Sequence, residues 1–532
     1  MCIPNGLKIG MCIDLLKKHS IDDIKLPVGR LTLRKIFGLR VPDLSSRFFN
    51  FQWRSCTNLF EVGSNSHLVE NSSIPIYNQK LVNKGAIAEL YRIEVLEEFV
   101  DQQLQAVAGD ARGEGFEEVV YVLALKTFPD KEKRFYADEQ AAHELLQGQN
   151  GIVKYYGNYS TFQPSSDLGT LVDAIKQATS HDMLFEYGEL DLEEYFIHRA
   201  PPKSPGEINK FWSSLFKVAD ALAALHNLKT PGLGNNDSVE YHGWHANITP
   251  SNILFIQDNF KLGDLGFARF VTKADHNPKE VMTGGTVTYG KSIVNHGVAV
   301  SQNIDVWSLG CVLSIAVTWM VFGHSAVIEY QNRCQRSIRH LIEKTLFDEN
   351  LRNSTLELWP GDYFHNGNAV LDEITEWHNI LRGNCHESDE ITISLLRLID
   401  QKLLVEDTSR ITAVELSSEL ADMLDSTVKG PVVSPTTEEP ETKVENILLD
   451  SAIPKSTTPQ HTKSSFRTEP PEHTSDGVGP YSWQYYPSYL VTFKLFNQFL
   501  VQVFGQMDFG IHLNNDKFGF RVPRPLTEVN QY

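Results

Sequence analysis

The fold of this chain is decided by two short stretches, His245-Ala-Asn247-Ile-Thr249-Pro-Ser-Asn252-Ile-Leu254 and Asp264-Leu-Gly266. A strand-like run, Phe260-Lys-Leu-Gly263, leads directly into the second stretch. Glycines on both sides of Asp264 are also typical of an ordinary turn, so the two stretches alone leave the role of this carboxylate open.

Other short motifs surround these stretches in one order along the chain. They are the glycine-poor turn Asn83-Lys-Gly85-Ala-Ile-Ala88, the lysine-ended strand Tyr121-Val-Leu-Ala-Leu-Lys126, the segment Asp305-Val-Trp307-Ser-Leu-Gly310, and Arg410 in Asp407-Thr-Ser-Arg410. Each motif is weak by itself, and an isolated Lys126 would suit a solvated strand end equally well. Their set, order and spacing together resemble the eukaryotic protein-kinase signature over roughly residues 77–426.

The chain also resembles a fungal subgroup of Ser/Thr protein-kinase-like proteins. The resemblance is carried by His242-Gly-Trp244-His245, by the upstream Phe51-Gln52-Trp53, and by Gly285-Thr286-Val-Thr288-Tyr289-Gly290. It implies that residues 1–76 are an N-terminal extension of the family domain and not a separate enzyme.

The resemblance implies an α+β, bilobal kinase fold with a β-rich N-lobe and a mainly helical C-lobe. The expected parts are an extension at 1–76, an N-lobe at 77–186 with an insertion near 95–118, a C-lobe at 187–426, a disordered linker at 427–476 and an aromatic-rich tail of unknown role at 477–532. The linker is rich in Pro, Thr, Ser and Glu and poor in apolar residues, as is typical of disorder. Because the family domain closes by about Leu424, we expect residues 427–532 to be dispensable for folding.

Composition narrows the class of protein. The chain has 532 residues, 41% of them hydrophobic, and a formal net charge of −19. This acidity argues against nucleic-acid binding, which needs clustered Lys and Arg. The six cysteines form no CxxC pair, as expected of free thiols in a reducing compartment. We therefore predict an intracellular protein, cytoplasmic or nuclear, with no membrane partner.

The resemblance assigns ligand-binding roles to particular residues, with ATP and Mg²⁺ as the expected cofactors. Lys126 would contact the α/β-phosphates, and Glu139 would pair with it, although Glu144 on the same predicted helix is a competing choice. Asn252 and Asp264 would hold the metal. The remaining cofactor-binding positions are Gly85 in the phosphate loop, Glu186 and Gly188 in the hinge, and Phe185 at the back of the pocket.

The departures from the family pattern are concentrated in the catalytic loop. The family's proton-accepting aspartate is Asn247 here, and an amide has no basic lone pair near neutral pH. The lysine two residues further on is Thr249, and the preceding arginine is Ala246. Lys291-Ser292-Ile293 replaces the Ala-Pro-Glu that closes the activation segment. In the family Arg410 would pair with that glutamate, so the resemblance implies that Arg410 is left without a partner.

Three functions follow from these matches and departures. The first is a nucleotide-binding pseudokinase that acts as an interaction or allosteric module with an unknown protein partner. The second is a weakly active or unconventional Ser/Thr kinase, and the third is a degenerate copy with no function. The lost base favours the first and third, whereas the retained Lys126, Glu139, Asn252 and Asp264 favour the first and second.

Overall fold

The structure is a computed structural model that describes about three fifths of the chain. The described residues are 17–19, 33, 35–36, 48, 59–69, 76–85, 87–108, 119–162, 178–231, 238–275, 280–281, 289, 299–347, 364–366, 369–386, 389–428, 482–487, 493–505, 509–514 and 517–522. The Phe51-Gln-Trp53 motif, the predicted linker beyond residue 428 and most of the activation segment lie outside these ranges.

Strands dominate the first part of the chain and helices the second. The strands are β1 (Ser64–Val69), β2 (Asn78–Lys84), β3 (Glu89–Leu96), β4 (Val120–Pro129), β5 (Tyr155–Phe162), β6 (Ala178–Glu186), β7 (Leu190–Asp191), β8 (Lys229–Pro231), β9 (Ser238–Trp244), β10 (Ile253–Ile256), β11 (Asn259–Leu262), β12 (Arg269–Thr272), β13 (Glu280–Val281), β14 (Ala299–Val300), β15 (Ser482–Pro487), β16 (His512–Asn514) and β17 (Lys517–Val522). The α-helices are α1 (Gln102–Ala108), α2 (Lys133–Leu145), α3 (Leu192–His198), α4 (Pro205–His226), α5 (Asn303–Phe322), α6 (His324–Phe347), α7 (Asp372–Arg382), α8 (Glu390–Leu398), α9 (Ala413–Val428) and α10 (Phe493–Phe504). This arrangement confirms the predicted α+β, two-lobed architecture.

The N-lobe is one six-stranded sheet in the order β1-β5-β6-β4-β3-β2. Strand β4 is central, because its β-prone, mostly apolar residues are buried between β3 and β6. The register sets Lys126 opposite Leu90 on β3 and Met183 on β6. The lysine at the end of an apolar run is thereby carried into the cleft between the lobes.

Strand β1 extends this sheet upstream of the boundary predicted at residue 77. It pairs in parallel with β5, from Ser64 opposite Gly157 to Val69 opposite Phe162. Just before it, Phe60 is buried and packs edge-on against Tyr159, with 5.4 Å between the ring centroids. Part of the N-terminal extension is thus a structural component of the N-lobe. Sequence reasoning missed it because strand pairing between distant segments leaves no local signal.

The C-lobe is built around the long helices α4 and α5. Helix α4 begins at Pro205 because Ser204 and Glu207 form a capping box at its N-terminus. Helix α5 is apolar on all sides and nearly all of it is buried, as its composition predicts. By length and hydropathy it is the one helix within the described ranges that could cross a membrane, but 94% of that window is buried inside the protein. It is therefore the core helix of the lobe.

The structure corrects the expectation that Arg410 is left without a partner. Its guanidinium is buried and donates to three backbone carbonyls, those of Leu403, Asn303 and Val405, at 2.6–2.9 Å. It also contacts Asp407 at 3.2 Å. The family's glutamate is therefore replaced here by main-chain acceptors and a nearby aspartate, which satisfy the same buried cation.

The C-terminal tail is folded and not extended. Strands β15 and β16 both pair antiparallel with β17, and α10 lies between them in sequence. Six tail side chains are buried and belong to the same contiguous apolar core as the C-lobe helices: Phe496, Leu500, Phe509, Ile511, Phe520 and Val522. This packing opposes the expectation that the whole of residues 427–532 is dispensable for folding.

We predict that the tail stabilises the C-lobe. Leu500 is fully buried, so Leu500→Ala should lower the free energy of unfolding by about 2–4 kcal/mol through lost burial and a residual cavity. Val414→Ala, at a half-exposed position of α9, should change it by less than about 0.5 kcal/mol. Deletion of residues 477–532 should lower the melting temperature by more than about 5 °C, and an unchanged melting temperature would show that the tail does not dock.

Candidate functional site

The cleft between the lobes holds a buried ion pair between β4 and α2. The Lys126 Nζ lies 2.7 Å from both carboxylate oxygens of Glu139. Glu139 is only 3% exposed. Glu144 is exposed and accepts a hydrogen bond from Gln140 instead. Of the two candidate glutamates, the structure brings Glu139 to the lysine, because α2 turns that residue toward the sheet.

Asp264 completes the cluster from the C-lobe. It follows β11 in a left-handed conformation, with φ of 54°. This backbone turns its Oδ1 to 2.8 Å from the Lys126 Nζ. Its side chain is 34% exposed, so it remains partly accessible to solvent. One lysine therefore joins carboxylates from both lobes.

The pKa values of the three groups diverge for physical reasons. Burial disfavours the charge of Lys126, but the carboxylates of Asp264 and Glu139 outweigh burial and raise the pKa of its ammonium. Burial raises the pKa of Glu139 to about 7, since Lys126 offsets it only in part. Burial also acts on Asp264, but there the attraction of Lys126 is stronger and the pKa is lowered. Lys126 and Asp264 are thus charged at neutral pH, whereas Glu139 titrates near it.

The substituted catalytic loop lies directly beside Asp264. The Asn247 Nδ2 is 3.4 Å from the Asp264 Oδ2. Asn252 donates its Nδ2 to the Asn247 carbonyl at 2.8 Å, and its own carbonyl accepts from the Gly263 N–H at the same distance. Thr249 is buried, with its hydroxyl 2.9 Å from that of Ser251. The loop therefore keeps its position next to Asp264 while its functional groups have changed.

Asp305 fixes the backbone of the catalytic loop through hydrogen bonds. Its carboxylate accepts the backbone N–H groups of His245 and Ala246, each at 2.8 Å, and lies 3.0 Å from the His226 Nε2. Ala246 has a positive φ of 62°, which is unfavourable for a residue with a side chain. The two hydrogen bonds to Asp305 stabilise this conformation. The sequence singled out Asp305 as part of a motif but did not reveal this role.

The histidines near the loop do not form a zinc site. His226 contacts Asp305, and the His245 Nε2 lies 3.0 Å from the Gly263 carbonyl. Within the part of the chain that the structure describes, no group of three or more His, Cys, Asp or Glu side chains could hold a metal ion. His245 is fully buried and packs behind the Asp264 turn.

The predicted hinge contains a second buried ion pair that the sequence did not reveal. Both carboxylate oxygens of Glu186 lie 2.7 Å from the Lys261 Nζ on β11. One of them also accepts a hydrogen bond from the backbone N–H of Lys154 at 2.6 Å. Two residues further on, Gly188 approaches Leu254 so closely that a Cβ there would lie 3.0 Å from the leucine Cβ. The hinge is therefore tied to the C-lobe hairpin β10–β11.

The walls of the cleft are apolar. Ala124, Phe185 and Ile256 belong to one buried cluster, and Leu90 and Leu254 pack against it. These side chains come from both lobes, so the lobes meet here through an apolar surface. Sequence reasoning named Phe185 but missed the two leucines, because a single leucine on a strand carries no specific signal.

The phosphate-loop position is a tight hairpin turn between β2 and β3. The Gly85 N–H donates to the Ala88 carbonyl at 2.9 Å, and Lys84 pairs with Glu89 at 3.1 Å. Asn83 is part of the ladder, opposite Leu90. Gly85 is thus at the tip of the turn, with its amide engaged within the hairpin.

Comparisons with known proteins agree with this geometry. The chain is similar to the serine/threonine-protein kinase MPS1 of Encephalitozoon cuniculi, with 22% identity over 292 residues that cover 53% of this chain and 45% of that protein. It is 26% identical to the probable serine/threonine-protein kinase nek2 of Dictyostelium discoideum over 192 residues, or 36% of this chain and 40% of that one. It is 25% identical to the serine/threonine-protein kinase mph1 of Schizosaccharomyces pombe over 190 residues, which cover 34% and 24%. The chain spans less than half the length of each of these relatives.

The protein kinase domain family model matches residues 118–420, more than half of the chain. The matched range runs from β4 into α9 and takes in Lys126, Asn247 and Asp264. As its motifs predicted, this chain belongs to the eukaryotic protein-kinase family.

Proposed function

We propose that this chain is a nucleotide-binding pseudokinase that acts as an interaction or allosteric module. One observation carries the proposal. Lys126, Glu139 and Asp264 are assembled within 2.8 Å contacts, while the neighbouring position 247 holds an amide in place of a base. The residues that would bind ATP are present and the proton acceptor is absent. This combination supports a protein that binds ATP but transfers little phosphate.

The residues of the cleft suit ATP. The apolar faces at Ala124 and Leu254 would enclose the adenine, and backbone groups of Glu186 and Gly188 would bind its polar edge. Lys126 would contact the α/β-phosphates, with Glu139 orienting its ammonium. Gly85 would lie over the phosphates, although its hairpin offers less backbone than a loop with three glycines.

The donor set next to Lys126 also fits Mg²⁺. Asp264 would supply a carboxylate, and Asn252, whose Nδ2 donates to the Asn247 carbonyl, would supply its carboxamide oxygen. These are the hard oxygen ligands that this ion prefers. Bound there, the ion would screen phosphate charge. We propose these two residues as its protein ligands.

The substitutions in the catalytic loop lower the expected turnover. General-base catalysis contributes ~10²–10⁴-fold, and kinases turn over at ~1–100 s⁻¹. Loss of the base alone therefore leaves slow transfer. Thr249 removes a cation that would stabilise the transferred phosphoryl group, a term that is often larger. The two losses act on one step and are not simply multiplied.

A weakly active Ser/Thr kinase is the second candidate. The assembled Lys126–Glu139 pair supports it as much as it supports the first candidate, since both need the cation to bind the phosphates. The relatives described above are all Ser/Thr kinases by name, but each is matched over less than half its length. A degenerate copy with no ligand is the third candidate. The protein partner or substrate stays unidentified, and we propose an intracellular setting with no nucleic-acid or membrane ligand.

We predict that ATP with Mg²⁺ stabilises the folded protein. A ligand at ~100 times its Kd adds ~2.7 kcal/mol to the free energy of unfolding, so the melting temperature should rise in a thermal-shift titration. Lys126→Met removes the phosphate contact and should abolish the rise. If the melting temperature of a folded sample did not change at millimolar ATP with Mg²⁺, the chain would instead be a degenerate copy that binds no nucleotide.

We predict that phosphate transfer to a generic Ser/Thr substrate is at or below the detection limit of a radiolabel assay. Asn247→Asp together with Thr249→Lys should recover more activity than either change alone, because the two groups act in one transition state. Asp264→Ala added to that double variant is the control and should remove the recovered activity. Transfer at ordinary kinase rates by the unmodified chain would contradict the proposal.

The raised pKa of Glu139 predicts a particular pH dependence of stability. The protonated Glu139 carboxyl is favoured by the folded state, because its pKa is about 7 there and 4.5 in the unfolded chain. Its contribution to the free energy of unfolding is therefore fully present below pH 4.5 and is lost as the pH rises through about 7. Glu139→Gln should remove this loss, which is on the order of 3 kcal/mol. Glu144→Gln changes an exposed residue of the same helix and should keep the wild-type profile. Denaturant unfolding between about pH 5 and pH 8 tests this, and identical profiles for Glu139→Gln and wild type would refute it.

A further inference from the structure

Asn247 changes the electrostatic surroundings of Asp264. The Lys126 Nζ lies 2.8 Å from one carboxylate oxygen, and the Asn247 Nδ2 lies 3.4 Å from the other. A separation of 3.4 Å is at the long end for a hydrogen bond, so the amide matters here mainly as a neutral neighbour. Asp264 consequently has no second carboxylate beside it at position 247.

The cluster as a whole carries one net negative charge when Glu139 is ionised. Lys126 is positive, and Glu139 and Asp264 are negative. Five neighbouring side chains are neutral at neutral pH, including two buried histidines whose pKa values are lowered by burial: His143, His245, Asn247, Thr249 and Asn252. The carboxylate of Asp305 also lies at the loop, where it accepts the His245 and Ala246 N–H groups. An aspartate at position 247 would add a negative charge directly beside Asp264.

We propose that Asn247 is a specificity-determining residue that makes nucleotide binding nearly independent of Mg²⁺. The inference rests on the proposed nucleotide-binding function and names the form of the ligand that the cleft accepts. We expect the cleft to bind the free nucleotide and its magnesium complex with similar affinity.

Two opposing effects of a carboxylate at position 247 support this. A second carboxylate about 3.4 Å from Asp264 would repel both Asp264 and an incoming triphosphate, and a divalent cation would be needed to offset that repulsion. The same carboxylate would attract the cation. The neutral Asn247 removes the repulsion of the triphosphate, and it also weakens the attraction of the cation. Asp264 and Asn252 still offer oxygen ligands, so the metal can bind, but the nucleotide gains little from it.

Isothermal titration of the full chain with ATP, once with excess Mg²⁺ and once with EDTA, tests the inference. For the wild type we expect the two Kd values to agree within about threefold. Asn247→Asp should weaken binding in EDTA by about tenfold or more, with recovery when Mg²⁺ is added. Asn247→Ala also keeps the site neutral, so its two Kd values should likewise agree within about threefold.

A matched control separates local charge from net charge. Asn259→Asp makes the same chemical change at the first residue of β11, at the opposite end of the strand from Asp264, where the Asn259 Oδ1 accepts a solvent-exposed hydrogen bond from the Lys217 Nζ. It should leave both Kd values unchanged. A wild type that binds ATP only with Mg²⁺, or an Asn247→Asp variant with the wild-type response, would overturn this inference and leave the proposed function intact. If ATP bound in neither buffer, both this inference and the proposed function would be wrong.

Discussion

Lys126 is the group on which the arrangement of the cleft depends. It is a buried ammonium that touches one carboxylate from the N-lobe helix and one from the C-lobe turn. Without it, Glu139 and Asp264 would face each other as uncompensated charges, which is costly inside a protein. The position of α2, the closure of the lobes and the orientation of the Asp264 turn are therefore coupled through a single side chain.

The substituted loop shows which parts of the family site are structural and which are chemical. Asp305 holds the loop through backbone N–H groups, and Arg410 holds the end of the domain through backbone carbonyls. Contacts of this kind do not depend on the identity of the side chain at the other end. Ala246 and Asn247 could therefore replace charged residues without displacing the loop. The backbone position of the loop is therefore independent of the side chains at 246 and 247.

Much of the fold could be predicted from the sequence, because its signals are local and ordered. The lysine-ended strand, the buried α5 and the Asp264 turn each have a pattern that survives without knowledge of the tertiary structure. The features that were missed all depend on distant partners: the parallel pairing of β1 with β5, the burial of Leu500 in the C-lobe core, and the pairing of Lys261 with the hinge. For Arg410, the sequence showed the loss of one partner but could not show that main-chain carbonyls take its place.

The Glu186–Lys261 pair has a mechanical consequence. Its two side chains are 6% and 14% exposed, and they join the end of the last N-lobe strand to a C-lobe hairpin. Separating the lobes at this point would leave a buried charge alone, at a cost of about 3–5 kcal/mol. Opening motions are then restricted to rotations that pivot near Glu186. We expect the cleft to keep its width next to Glu186, whereas widening elsewhere requires the Lys126–Asp264 contact to break.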